Sequence, residues 1–201
     1  MKNYIYLACL CFSTSFFFSC NNSTTVASNS DQTDTSQSYV QKHLAGYATV
    51  KLTTDLSLSE KEKQIIPLLI QAAKFMDTLY WDQSYGHRDS LLNAITDVQT
   101  KNYITINYGP WDKLNNDTPF VAGVGPKPAG ANFYPADMTK DELEKSDLSD
   151  KHGQYSLIRR DSSGKLISIP YHVAYKDQLK RASSLLKQAS ELAEDAGLKN
   201  Y

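Results

Sequence analysis

Residues 59–84 read SEKEKQIIPLLIQAAKFMDTLYWDQS, and this run decides the fold. Ser59 followed by Glu62 is the reciprocal capping arrangement that opens a helix. Behind it Ile65, Ile66, Leu69, Ala72, Ala73, Met76, Leu79 and Tyr80 recur at helical spacing, which predicts one amphipathic helix over about 60–84. Pro67 has no amide hydrogen and crowds the turn before it. It either kinks this helix or begins its main segment, with 60–65 as a separate turn. A helix of that length needs apolar cover, and Tyr175 to Ala196 offers it with Leu179, Ala182, Leu185, Leu186, Ala189, Leu192 and Ala193 on one stripe. Gly197 stands where the residue after a helix end belongs.

Between these two helices the pattern breaks into shorter pieces. Residues 88–97, with Leu91, Leu92 and Ile95, and 98–107, with Tyr103, Ile104 and Ile106, read as two short helices. Thr139 with Glu142 three residues on opens another. Tyr155–Arg160 and Lys165–Ile169 flank Asp161-Ser-Ser-Gly164, a turn with side-chain acceptors and a glycine for a positive φ, which predicts a β-hairpin. Residues 47–53 are β-rich and read as a strand or an extended lead-in. The fold class is mainly α with a small β-hairpin, α+β.

The chain of 201 residues carries 21 Lys and Arg against 22 Asp and Glu, so no basic field exists to hold nucleic acid. With 41% apolar and 21% charged residues it has the composition of a folded domain. Residues 1–20, MKNYIYLACLCFSTSFFFSC, place one Lys before a long apolar and aromatic stretch and end on Ser19-Cys20. This is the layout of a secretory signal, 1–19. Its Phe-Phe-Ser-Cys ending resembles a bacterial lipobox, which implies lipid attachment at Cys20 and a lipid-anchored protein of the bacterial cell envelope, periplasm-facing or at the surface. Cys9 and Cys11 fall inside the removed stretch, so no disulfide is available to the processed chain. Residues 20–38 are dominated by Ser, Thr, Asn, Asp and Gln, and predict a flexible tether before the domain of 39–201.

Chemistry is harder to find. His43, His87, His152 and His172 have no second histidine at ligand spacing, and the one cysteine expected to remain, Cys20, is taken by the lipid anchor, so no zinc motif can be written. His87 reads as a polar helix start after Gly86, and His172 as the end of the hairpin. Gly123 to Gly130 lacks the P-loop pattern, and its prolines remove the donors a phosphate would need. The informative stretch is 108–137, a loop with five of the seven prolines and several large aromatics. Long loops of this kind, when ordered, are often functional. Tyr108, Trp111, Asp112, Asn132, Phe133 and Tyr134 combine aromatic faces with polar groups, a surface suited to an extended peptide or a sugar. The same aromatics could instead fill a second small core beneath the loop.

Three segments carry a resemblance: Leu68-Leu-Ile-Gln-Ala-Ala-Lys-Phe-Met-Asp77, Ile106-Asn-Tyr-Gly-Pro-Trp-Asp-Lys-Leu114 and Pro128-Ala-Gly-Ala-Asn-Phe-Tyr-Pro-Ala-Asp-Met138. Together they resemble the N-terminal portion of dipeptidyl peptidase III-like zinc peptidases, most closely the branch also found fused to a Nudix domain in plants. The resemblance implies that residues 39–201 are part of the helical lobe of a larger two-lobed metallopeptidase, whose cleft holds an extended oligopeptide substrate. In such enzymes zinc is bound by two histidines of an H-E-x-x-x-H-like helix and a later glutamate, and the motif's glutamate activates the metal-bound water. None of these ligands is present here, so the expected chain supplies part of the cleft, no catalytic residue and no metal ligand, with zinc implied for the full-length enzyme. The alternative is a non-catalytic envelope lipoprotein that binds a peptide or glycan.

Overall fold

In a computed structural model the described residues are 29–200. The expected signal segment and Cys20 lie outside them. The first helix is α1 (Asn29–Leu44), followed without helix or strand over 47–58 by α2 (Glu60–Ser84). Next come α3 (Arg88–Ala94), α4 (Val98–Asn107) and a minimal pair of strands, β1 (Trp111–Asp112) and β2 (Thr118–Pro119). The chain continues through α5 (Lys140–Lys145), the hairpin β3 (Ser156–Arg160) and β4 (Leu166–Pro170), then α6 (Tyr171–Ala174), α7 (Lys176–Leu192) and α8 (Ala196–Asn200). The architecture is mainly α with small antiparallel hairpins, as the patterning indicates.

The opening of α2 is held as its sequence dictates. The Ser59 hydroxyl accepts from the Glu62 amide at 3.2 Å, and the Glu62 carboxylate accepts from the Ser59 amide at 2.7 Å. Pro67 sits inside one continuous helix on an exposed position. The most extensive pairing in the molecule is α2 against α7. Ile65, Ala72 and Leu79 of α2 are buried, as are Ala182 and Ala189 of α7, and the alanines let the two backbones approach closely. Lys61 pairs with Glu194 at 3.1 Å, which sets the start of α2 beside the end of α7.

Two apolar cores share α2. In the first, Trp81 packs with Val40 of α1, Leu91 of α3, Tyr103 and Ile104 of α4, and Phe120. In the second, Leu79 meets Leu157 of β3 and Tyr175, with Phe133 and Leu179 at the edge. The β3–β4 register runs from Ser156 opposite Pro170 to Arg160 opposite Leu166. Its turn is the expected one: the Asp161 carboxylate accepts from the amides of Ser163 and Lys165 at 2.8 and 3.0 Å, and Gly164 adopts φ +84°.

Three expectations change. Residues 29–38, read as the end of a tether, belong to α1; the polar run is carried into helix by Tyr39, Val40 and Leu44 at its C-terminal end, which pack on the first core. Residues 47–53 form no strand, and their Val50 and Leu52 are exposed. The last long helix ends at Leu192, because Ala193 turns to an extended conformation, and Gly197 lies within α8 rather than after a helix end. Asp195 starts that final turn by accepting from the Leu198 amide at 2.7 Å.

Candidate functional site

Tyr108 closes α4 in the left-handed conformation, φ 54°, uncommon for a residue with a Cβ. Its ring lies against those of Tyr80 and Trp81, at 4.6 and 5.2 Å between centroids, and its hydroxyl donates to Asp77 at 2.6 Å. The left-handed turn sends the chain back across the end of α2. Lys113 then stands over the rings of Tyr80 and Tyr108 and bonds the Tyr80 oxygen at 2.7 Å, which lowers the Tyr80 phenol from its ordinary range.

Trp111 and Asp112 follow. The Trp111 indole donates to the Gly125 carbonyl at 2.9 Å, and its ring meets Tyr85 edge-on. Asp112 is only 1% exposed, and it accepts from the Tyr39 hydroxyl at 2.8 Å and the Leu114 amide at 3.0 Å. Burial opposes its ionisation, yet the donors from Tyr39, Tyr103 and Leu114 together outweigh that and hold the carboxyl below the usual range. Burial, and then the neighbouring Asp112, pushes the Tyr103 phenol well above its ordinary value.

The second half of the loop is fastened at Asn132. Its amide side chain donates to the Asp82 carbonyl at 2.6 Å, and its backbone amide to the Gln83 carbonyl at 2.9 Å, so the loop docks on the last turn of α2. Arg159 of β3 donates to the carbonyls of Asn132 and Phe133 at 2.9 and 3.0 Å and ties the loop to the hairpin. Arg160 takes both oxygens of Glu142, at 2.7 and 2.9 Å, and also Asp137. That fork lowers the Glu142 carboxyl and raises the guanidinium still further.

Two grooves result. One of about 570 Å³ is lined by Tyr85, His87, Trp111, Asn132, Tyr134 and Arg159, among others. The other, about 730 Å³, lies beyond the same loop with Asp117, Lys127, Phe133 and Tyr134 in its walls. Tyr134 forms part of both. The structure therefore brings Trp111, Asn132 and Tyr134 into one groove and puts Phe133 with Tyr134 in the other. Tyr108 and Asp112 line neither, being taken up by packing and by hydrogen bonds. The sequence reading missed Tyr85, His87 and Arg159. No local signal sets Arg159 apart from Arg160, since both reach the loop and both line this groove.

Among the described residues no three His, Cys, Asp or Glu side chains come together as metal ligands would. The donor set a zinc ion needs is thus not found in them.

The solved structure of dipeptidyl peptidase III from Caldithrix abyssi superposes with a TM-score of 0.74 at 38% identity, covering 80% of this chain and 33% of that one. The chain resembles a third of dipeptidyl peptidase III. The same enzyme from Corallococcus sp. strain EGB gives a TM-score of 0.72 at 31% identity over 80% of this chain and 32% of its own. A curated plant protein, Nudix hydrolase 3 of Arabidopsis thaliana, is 28% identical across 80% of this chain and 29% of its own length. The likeness read from 68–77, 106–114 and 128–138 to dipeptidyl peptidase III, and to its plant Nudix-linked branch, is borne out. The chain spans about a third of the length of the proteins it matches. No family model matches it.

Proposed function

We propose that this chain is the N-terminal segment of a membrane-anchored, zinc-dependent exopeptidase of the dipeptidyl-peptidase kind, and that it contributes part of the substrate cleft while the metal ligands lie elsewhere. The observation that carries the reading is the 38% identity to dipeptidyl peptidase III maintained at a TM-score of 0.74 over four-fifths of the chain. The groove beside Trp111 and Tyr134 supports the cleft role. It is walled by aromatic faces and backed by a loop that Asn132 and Arg159 hold still, which is the preorganisation an extended peptide needs. The signal-like 1–19 and Cys20 support anchoring in a bacterial envelope by an acylated cysteine.

The test is the intact mass of the native protein purified from its own membranes, with zinc content and dipeptide release from an oligopeptide measured on the same sample. A species near three times this chain's length, carrying zinc and releasing dipeptides, is expected from the one-third coverage. A zinc-free, inactive protein no longer than this chain would overturn the reading. The aromatic groove would then stand as the site of a non-catalytic lipoprotein that binds a peptide or glycan.

A further inference from the structure

The groove beside Trp111 and Tyr134 holds a positive charge that its own walls do not balance. Among the described residues its lining includes His87, Arg159 and Arg160 and no aspartate or glutamate. Arg160 is spent, since its guanidinium holds both oxygens of Glu142 and also Asp137. Arg159 is half-buried and has no carboxylate partner among the described residues, for its three bonds all go to backbone carbonyls. Its Nη1 donates to Phe133 and Ile158 at 3.0 and 2.8 Å, and its Nη2 to Asn132 at 2.9 Å. A guanidinium has five N–H donors, so two remain here, the Nε–H and one hydrogen of Nη2. These two nitrogens share one edge of the planar group. Such an edge meets a carboxylate with two parallel bonds.

We propose that the Nε–Nη2 edge of Arg159 receives a carboxylate of the peptide held in this groove, so that the groove selects peptides with a free C-terminus or an acidic side chain at that place. The inference rests on the reading of the groove as a peptide cleft, and adds the chemistry its occupant carries. The guanidinium is in position before any ligand arrives: the Asn132 and Phe133 carbonyls hold it, and Asn132 is itself fastened to the Asp82 and Gln83 carbonyls of α2. Binding therefore does not have to order a long side chain. Other donors in the walls are engaged or missing. The Trp111 indole N–H is bonded to Gly125, and Pro126, Pro128 and Pro135 have no amide hydrogen. An anionic group entering the groove thus meets its fork at Arg159, while Tyr85, Trp111 and Tyr134 cover the apolar part of the chain. Asp82 would oppose this if it shared the groove, but it lines a neighbouring recess with Arg88.

The experiment measures peptide binding by calorimetry on the whole protein purified from its native host. The probes are short alanine peptides, N-methylated at the second peptide bond against cleavage, prepared as free acids, as amides, and as amides with one glutamate moved along the chain. At least one carboxylate-bearing probe is expected to bind the parent tenfold or more tighter than the amide of its length. Preference for the free acid assigns the C-terminal carboxylate, and preference for one glutamate position assigns a side chain. Arg159→Gln should abolish the preference while the plain amide keeps its affinity to within about threefold. Arg159→Lys keeps the charge but loses the paired edge, covers the case of a glutamine variant that does not fold, and should lower the preference about threefold or more. A parent without preference overturns the proposal. So does a variant in which acid and amide weaken alike and the preference is kept, since loss of a tie to the loop alone would do that. Zinc and dipeptide release on the parent sample test the peptidase reading separately. If both are present without a preference, the carboxylate seat falls and the peptidase reading stands; if both are absent and the preference is found, the peptidase reading falls and the seat belongs to a peptide-binding lipoprotein.

Discussion

At Asp112 the difference between a sequence neighbourhood and a folded one is sharpest. Beside Trp111 in a proline-rich loop, this carboxylate reads as a substrate contact, yet its principal donor, Tyr39, is 73 residues away and arrives on α1. No local pattern announces a pairing of that range. The geometry makes a prediction with a definite sign. Asp112→Asn keeps the shape and removes the charge-assisted bonds to Tyr39, Tyr103 and Leu114, so it should cost about 1–3 kcal/mol at neutral pH. Because the folded carboxyl titrates below its ordinary range, its contribution is complete above the unfolded value of about 3.9 and is lost as pH falls through the lowered folded value. Urea unfolding of parent and variant should therefore differ most at neutral pH and converge in acid. A difference that persisted unchanged into acid would mean the carboxylate is not its source.

Elements with their determinants inside one short window came out as written. The capping box opens α2 at Glu60, Thr139 caps α5, and the Asx turn at Asp161 joins β3 to β4. Elements whose boundary depends on distant packing did not: α1 begins in a run of polar residues because Tyr39 and Val40 find the first core, and 47–53 forms neither helix nor strand. The junction between α2 and the loop of 108–137 belongs to this second kind, and it can be tested by comparing two glycines. Gly86, φ +102°, follows the end of α2, and a Cβ there would stand 2.9 Å from the Asn132 side-chain nitrogen. Gly164, φ +84°, has nothing within 4 Å of such a Cβ. Both alanine variants carry backbone strain of about 1 kcal/mol, but only Gly86→Ala must also break the bond from Asn132 to the Asp82 carbonyl, adding about 1 kcal/mol more. Thermal unfolding should rank Gly86→Ala below Gly164→Ala. Equal melting temperatures would mean that Asn132 moves aside freely and does not anchor the loop.

For the whole molecule, the legible part was the class of fold and the likeness to dipeptidyl peptidase III, because both rest on long helical periodicity and on a few unusual local strings. The use of α2 as a shared wall of two cores was not, since helical spacing does not say that Leu79 and Trp81, two residues apart, serve different cores. The proposed anchor acts from the N-terminal side of the domain, where α1 packs on α4 and the first core. Cys20 precedes α1 by eight residues, so a lipid chain on it would hold the domain close to the membrane face rather than at the end of a long leash. Acylation at more than one point gives firm attachment where a single chain binds marginally, each buried methylene adding about 0.8 kcal/mol. Cys20→Ser removes the only cysteine expected to remain after processing while leaving Cys9 and Cys11 in the signal untouched. The parent should sediment with membranes and release a lipid-bearing N-terminal peptide on proteolysis. The variant should either appear in the soluble fraction or accumulate as a precursor that still carries residues 1–19. A Cys20→Ser protein that is processed normally and stays with the membrane would place its attachment in the folded domain.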